Sequence, residues 1–186
     1  MKLMIASDIH GSLYWGRRLL EAMDREGAPR LLLLGDLLYH GPRNALPEHY
    51  APQELAALLN GRKGRIFGVR GNCDAEIDQV MLSFPMMAEY CLVPLGDRLL
   101  FAAHGHQADF DGLPPLMPGD LFVRGHTHRP AWEISEQGIL CLNPGSVSIP
   151  KDGTPHGYMI VDGSLILWKD TDGKEYHRLT LNGKEN

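Results

Sequence analysis

Cysteine is scarce. The three thiols, Cys73, Cys91 and Cys141, form no CxxC pair, and an odd number behind no secretory leader points to reduced thiols. Long apolar runs are also missing. The first one, residues 2–6, is broken at Asp8, which makes it too short for a signal segment and far too short for a membrane span. A basic stripe is absent as well. The formal net charge is -5 with histidine neutral, which argues against a protein built to wrap nucleic acid. No internal repeat and no low-complexity segment breaks the chain. These absences lead us to expect a soluble, cytoplasmic protein with no membrane partner and no dedicated nucleic-acid surface.

What is present is ordinary globular composition, with 44% hydrophobic and 22% charged residues in 186 positions. That length suits one domain, 1–186, and a core that needs no disulfide staples. Residues 2–6 read as a buried strand. Residues 12–26 read as a helix with Ser12 as N-cap and Gly27 as its stop. "PRLLLLGD" at 29–36 reads as a second buried strand, so a βαβ unit with a parallel sheet is expected. A proline-rich loop (39–52), a short helix (52–62), a third strand (65–69) and a helical stretch (74–83) follow. Beyond about residue 90, short strands alternate with Gly, Asp and Asn turns. Two sheets stacked face to face with helices outside accommodate both halves.

The strand ends carry the chemistry. After the first strand come Asp8 and His10, two apart, which an extended backbone aims at one side. After the second comes Gly35-Asp36, and after the third Gly71-Asn72-Cys73-Asp74. "LLFAA" is followed by His104-Gly105-His106, and "LFVR" by Gly125-His126-Thr127-His128. Each alone is an ordinary turn. Five together, all beside glycine, are not what turns alone produce, and ligands of α/β sheets gather at the carboxyl ends of strands. Asp8 and His10 are therefore read as metal ligands.

This ordered set (D-x-H, G-D, G-N-x-D, H, G-H-x-H, spanning residues 8 to 128) resembles the calcineurin-like metallophosphoesterase family. "NPGSVSIPK" at 143–151 and the short length resemble its small bacterial phosphodiesterases. The resemblance implies an α/β fold, a four-layer α-β-β-α sandwich of two mixed sheets with helices outside. It implies two divalent metal ions, one held by Asp8, His10, Asp36 and His128, the other by Asp36, Asn72, His104 and His126, with Asp36 bridging. A mixed nitrogen and oxygen set suits manganese, and equally zinc, iron, cobalt or nickel. The implied reaction is hydrolysis of a small phosphodiester by a metal-bridging hydroxide attacking phosphorus in line. Asp36, Asn72, Cys73 and Asp74 would form the catalytic group. A homo-oligomer is left open.

One position departs from the family pattern. Where G-N-H-D is usual, with the histidine protonating the leaving oxygen, this chain has Cys73. A thiol is a shorter and poorer acid, so Cys73 reads either as a weakened general acid or as a small filler, and Asp74 as a residue that has lost its partner. Arg70, Arg43 and His40 are candidate substrate contacts, each also readable as a solvated surface residue. His106 is a candidate substrate contact or an orienting partner for His104, and Asn143 either such a partner or an ordinary Asn-Pro-Gly turn. His49, His156 and His177 are expected at the surface, and Trp15, Trp132 and Trp168 in packing. The rival functions are a phosphomonoesterase or protein phosphatase, and a non-catalytic scaffold of the same fold; the complete ligand set disfavours the scaffold.

Overall fold

Strand β1 (Lys2–Ala6) is apolar from Leu3 to Ala6 because both of its faces are covered there. In the computed structural model, which describes residues 2–106 and 116–181, Leu3 and Ile5 enter one core while Met4 and Ala6 enter another. This is the two-residue alternation of a strand lying between two layers. Helix α1 (Leu13–Arg25) begins at Ser12, whose side chain accepts from the Trp15 N–H, and the chain turns at Gly27 with φ of 61°. Then come β2 (Arg30–Leu33), α2 (Pro52–Asn60), β3 (Ile66–Gly68) and α3 (Glu76–Met81). β2 is shorter than the predicted 29–36, since ladder pairing with β1 ends at Leu33 and Leu34 onward belongs to the turn that carries Asp36.

The second half supplies β4 (Tyr90–Leu95), β5 (Arg98–Ala103), β6 (Leu121–Val123), β7 (Pro130–Ile134), β8 (Leu140–Pro144), β9 (Gly157–Asp162), β10 (Leu165–Asp170) and β11 (Glu175–Thr180). The strands assemble as a six-stranded sheet, β11-β10-β9-β1-β2-β3, and a five-stranded sheet, β4-β5-β6-β8-β7. Both are mixed. β1, β2 and β3 run parallel while β9 returns antiparallel to β1; β5, β6 and β8 run parallel while β4 and β7 are antiparallel to their neighbours.

Between the sheets lies a core that joins Leu3, Ile5 and Leu32 to Leu100, Val123, Leu142 and the fully buried Trp168. On the outer face of the six-stranded sheet, Leu19 and Met23 of α1 and Leu55 and Leu59 of α2 cover Met4, Leu31 and Leu33. Phe101, Phe122 and Ile139 form a third, smaller cluster in the other sheet. All three helices of the described residues precede β4 in the chain. The two mixed sheets packed face to face are those expected from the sequence. Their parallel segments bring the carboxyl ends of β1, β2, β3, β5 and β6 toward one region, which fixes where the polar turns meet.

Candidate metal centre

Five residues of the strand-end turns have a left-handed backbone: Asp8, His10, Asp36, His126 and His128, with φ between 49° and 65°. Non-glycine residues seldom adopt this conformation, and where they do the surroundings must hold them there. The holding contacts are explicit. Ser146 Oγ and Ser148 Oγ both donate to the Asp8 carbonyl, at 2.8 and 3.0 Å. The His126 N–H donates to Asp8 Oδ2 at 3.0 Å. Asn143 Nδ2 donates to the Gly125 carbonyl (2.8 Å) and to Thr127 Oγ1 (3.1 Å), and its Oδ1 accepts from the Gly145 N–H (2.8 Å). The stretch resembling small bacterial phosphodiesterases is thus the clamp on the Asp8 and His126 turns, and Asn143 is more than an ordinary turn residue.

Two motif glycines are required by space. A Cβ on Gly71 would lie 2.1 Å from Asp36 Oδ1, and one on Gly125 would lie 1.9 Å from Ser7 Oγ. The Asp74 carboxylate accepts three backbone N–H bonds, from Asp36 (2.8 Å), Leu37 (2.9 Å) and Gly71 (2.7 Å), and so ties the β2 turn to the β3 turn. The Cys73 N–H donates to Asp36 Oδ1 at 2.8 Å.

Three imidazoles are oriented in the same manner. Nδ1 of His10, His104 and His128 lies 2.8, 2.6 and 3.0 Å from the carbonyls of Tyr39, Leu34 and Ile149. A carbonyl only accepts, so each Nδ1 carries the hydrogen and each Nε2 is turned toward the centre. His10 Nε2 and His128 Nε2 are 3.2 Å apart. His128 Nε2 is 3.2 Å and His10 Nε2 3.5 Å from Asp8 Oδ1, and His10 Nε2 is 3.7 Å from Asp36 Oδ2. On the other side of Asp36, His104 Nε2 is 3.4 Å from Oδ2 and 3.0 Å from Asn72 Oδ1, with the His126 ring centroid 5.1 Å from that of His104. The donor atoms of Asp8, His10 and His128, and those of Asp8, Asp36 and His104, each fall within 4.8 Å of one another.

This arrangement fits cations. Asp8 Oδ1 is fully buried yet has no hydrogen-bond partner. Two Nε2 lone pairs facing each other, and two buried carboxylates within 4.8 Å, repel unless an electrophile is shared between them. The nitrogen and oxygen set matches intermediate divalent metals. Electrostatics without a cation show the same demand. Burial raises the Asp8 and Asp36 carboxyls, but the neighbouring imidazoles outweigh it and both end below their ordinary value. Burial lowers His104, but the hydrogen bond to Asp36 and the charges of Asp8 and Asp36 lift it to about 9. The Cys73 thiol is pushed up to about 12 by burial and by the Asp36 charge.

A cleft of about 810 Å³ opens over the centre, lined by Asp36, Asn72, Cys73, His126 and His128 together with Tyr39, Arg43, Asn44, Thr127, Arg129 and Lys151. Of the four side chains expected from the sequence to touch substrate, Arg43 lines it. His40 does not: its Nδ1 lies 3.4 Å from the Asn44 carbonyl, and its ring packs edge-on against Tyr39 and Tyr50. Arg70 is held by Glu76 (3.3 Å) and the Asp74 carbonyl (3.3 Å). His106 flanks His104 from outside the cleft, ring centroids 5.5 Å apart. His156, expected at the surface, is half-buried against Trp15, stacked at 3.6 Å between centroids, and its Nδ1 donates to the Val147 carbonyl. Arg129, Lys151, Ser146 and Ser148 were not singled out from the sequence. Arg129 directly follows the G-H-x-H motif and Lys151 closes the 143–151 stretch, and that placement is the signal that marks them.

The family model for the calcineurin-like phosphoesterase superfamily domain matches residues 1–164. The chain is 49% identical over 166 residues to phosphodiesterase YfcE of Escherichia coli, covering 89% of this chain and 90% of that protein. It is 25% identical over 193 residues to the probable metallophosphoesterase YsnB of Bacillus subtilis, covering 96% of each. The solved structure of the E. coli YfcE phosphoesterase superposes with a TM-score of 0.91 at 45% identity, covering 98% of this chain and all of that one. With carboxylates and imidazoles at its strand ends, its two mixed sheets and these likenesses, the chain belongs to the calcineurin-like phosphoesterase superfamily.

Proposed function

We infer that this protein is a metal-dependent phosphodiester hydrolase of one domain, 1–186. Asp8, His10, Asp36 and His128 would hold one divalent ion, and Asp36, Asn72, His104 and His126 a second, with Asp36 common to both and manganese the first ion to supply. The observation that carries the reading is the convergence of three imidazoles, each locked by a backbone carbonyl, so that Nε2 of His10 and of His128 faces the buried, unsatisfied Asp8 Oδ1 and Nε2 of His104 faces Asp36 Oδ2. The 49% identity to a protein named as a phosphodiesterase supports it. Divalent ions there would acidify water, neutralise phosphate oxygens and favour in-line displacement.

The chain's own residues define the rest. Hydrolysis adds water across one P–O bond, and the departing oxygen takes up a proton. Cys73 Sγ lies at the cleft, but a thiol is a shorter and poorer proton donor than an imidazole near neutral pH. The reading therefore favours esters whose leaving group departs with little protonation. The Cys73 N–H and the Asp74 carboxylate hold the shared Asp36 in place. Cys73, Cys91 and Cys141 are free thiols, in keeping with a cytoplasmic setting. Among the described residues no helix is long and apolar enough to cross a membrane.

The test is a matched pair of aryl phosphates, one diester and one monoester with the same leaving group, assayed before and after chelation. Faster diester turnover that is lost on chelation and restored by Mn²⁺ is the expected result. Faster monoester turnover refutes the diester assignment, and full activity after verified metal removal refutes the metal assignment.

A further inference from the structure

The cleft carries more positive charge than its metal ligands require. Arg43, Arg129 and Lys151 line it, all three exposed, and the carboxylate in its lining is Asp36, a ligand. Asp152 pairs with Arg129 and also feels Lys151, so it offsets part of this charge. Over the whole chain the balance runs the other way, with 23 acidic against 18 basic residues. A cluster of cations at one cleft is therefore not a sample of the general surface.

The cationic residues are placed by the fold. Arg43 lies on a tight turn: the Asn44 N–H donates to the Gly41 carbonyl (3.3 Å), Asn44 Nδ2 donates to the His40 carbonyl (2.8 Å), and Gly41 has φ of 79°. Lys151 is tethered to the centre, because its N–H donates to the carbonyl of the ligand His128 at 3.2 Å. Arg129 follows His128 directly. A volume of about 810 Å³ lies at the upper end of small-molecule sites, roughly 300–1,000 Å³, so the cleft has room for much more than one phosphoryl group.

We propose that Arg43 and Lys151, with Arg129 beside them, form a second anion subsite, and that the substrates are phosphodiesters carrying a further phosphate-like or carboxylate group away from the scissile phosphorus. The proposal rests on the phosphodiesterase reading above. The further group undergoes no bond change. It is bound by the rim cations while water is added across the P–O bond at the metal centre.

The experiment compares ethyl p-nitrophenyl phosphate with phosphonoethyl p-nitrophenyl phosphate, whose second anion is joined through an inert P–C bond. The leaving group is the same in both. Two exposed charge pairs together predict a kcat/KM about tenfold higher for the phosphonoethyl ester, with the ratio falling as salt is raised. Arg43→Ala/Lys151→Ala brings the ratio to about one. Arg17→Ala/Lys63→Ala, the same charge change at exposed positions outside the cleft, keeps it. Equal turnover of the two esters by the wild type overturns the subsite while leaving the phosphodiesterase reading intact, and so does a preference that survives Arg43→Ala/Lys151→Ala. Hydrolysis of an aryl monoester with no turnover of either diester overturns both.

Discussion

Replacing Asn143 tests whether the clamp behind the metal centre works as the geometry says. Its side chain is 1% exposed and makes three hydrogen bonds, two as donor and one as acceptor. Asn143→Ala removes all three and leaves the Gly125 carbonyl and the Gly145 N–H buried without this partner. At about 1–3 kcal/mol for each stranded group, and with incomplete additivity, the loss is about 2–4 kcal/mol. Asn143→Asp keeps the shape and the acceptor, yet points a carboxylate oxygen at the Gly125 carbonyl. The new carboxyl, buried beside an acceptor, should titrate at roughly 6–7 in the folded protein against about 3.9 unfolded. A folded value raised above the unfolded one penalises the fold at high pH: about 3–4 kcal/mol at pH 7, of which about 2 returns by pH 5. For a chain of this size each kcal/mol moves Tm by about 2–4 °C. Urea unfolding of wild type and both variants at pH 5 and 7 reads this directly. Asn143→Asp as stable as wild type at pH 7, or a difference from wild type that does not shrink at pH 5, refutes the reasoning. Metal affinity in both variants should fall about 10–100-fold, because Asn143 sets the turn that carries His126 and His128.

Asp36→Asn and Asn72→Ala should each remove most diester turnover, at least about a hundredfold, while circular dichroism stays that of wild type; wild-type turnover in both refutes the site assignment. Stripping metal should abolish activity, with Mn²⁺ or Zn²⁺ restoring it. In the metal-free protein His104 titrates at about 9, above its unfolded value near 6.5. Its contribution to stability is therefore complete below pH 6.5 and is lost as pH rises through 9. Metal must displace that proton, so affinity should rise over the same window, with proton release seen by calorimetry in buffers of different ionisation enthalpy. Cys73→His should accelerate alkyl diesters about tenfold to a hundredfold more than aryl ones. A plot of log rate against leaving-group pKa should be flatter in the variant, and equal slopes at equal metal content would make Cys73 a packing residue.

Local pattern and residue type were sufficient for much of this protein. The apolar runs at β1 and β2 are continuous because each strand is buried on both faces, and Ser12 and Gly27 bound α1 by capping chemistry. Asp8, His10, Asp36, Asn72, His104, His126 and His128 stood out as candidate ligands because carboxylate, amide and imidazole recur beside glycine at successive strand ends. The partners that make those residues a site were not legible. The carbonyls of Leu34, Tyr39 and Ile149 orient three histidines, and a carbonyl accepts whatever side chain it belongs to. Asn143, Ser146 and Ser148 reach Gly125 and Asp8 only because β8 lies beside β6 and the chain then crosses back to β9 in the other sheet. The same folding withdrew residues from the cleft: Arg70 reads as a free cation in the sequence, but Glu76 on α3 holds it, and His40 packs between two tyrosines. Ligand identity is a property of side-chain chemistry and is written locally. Ligand orientation and the charge of the cleft wall depend on distances between segments that are 20 to 140 residues apart, which only the packed sheets fix.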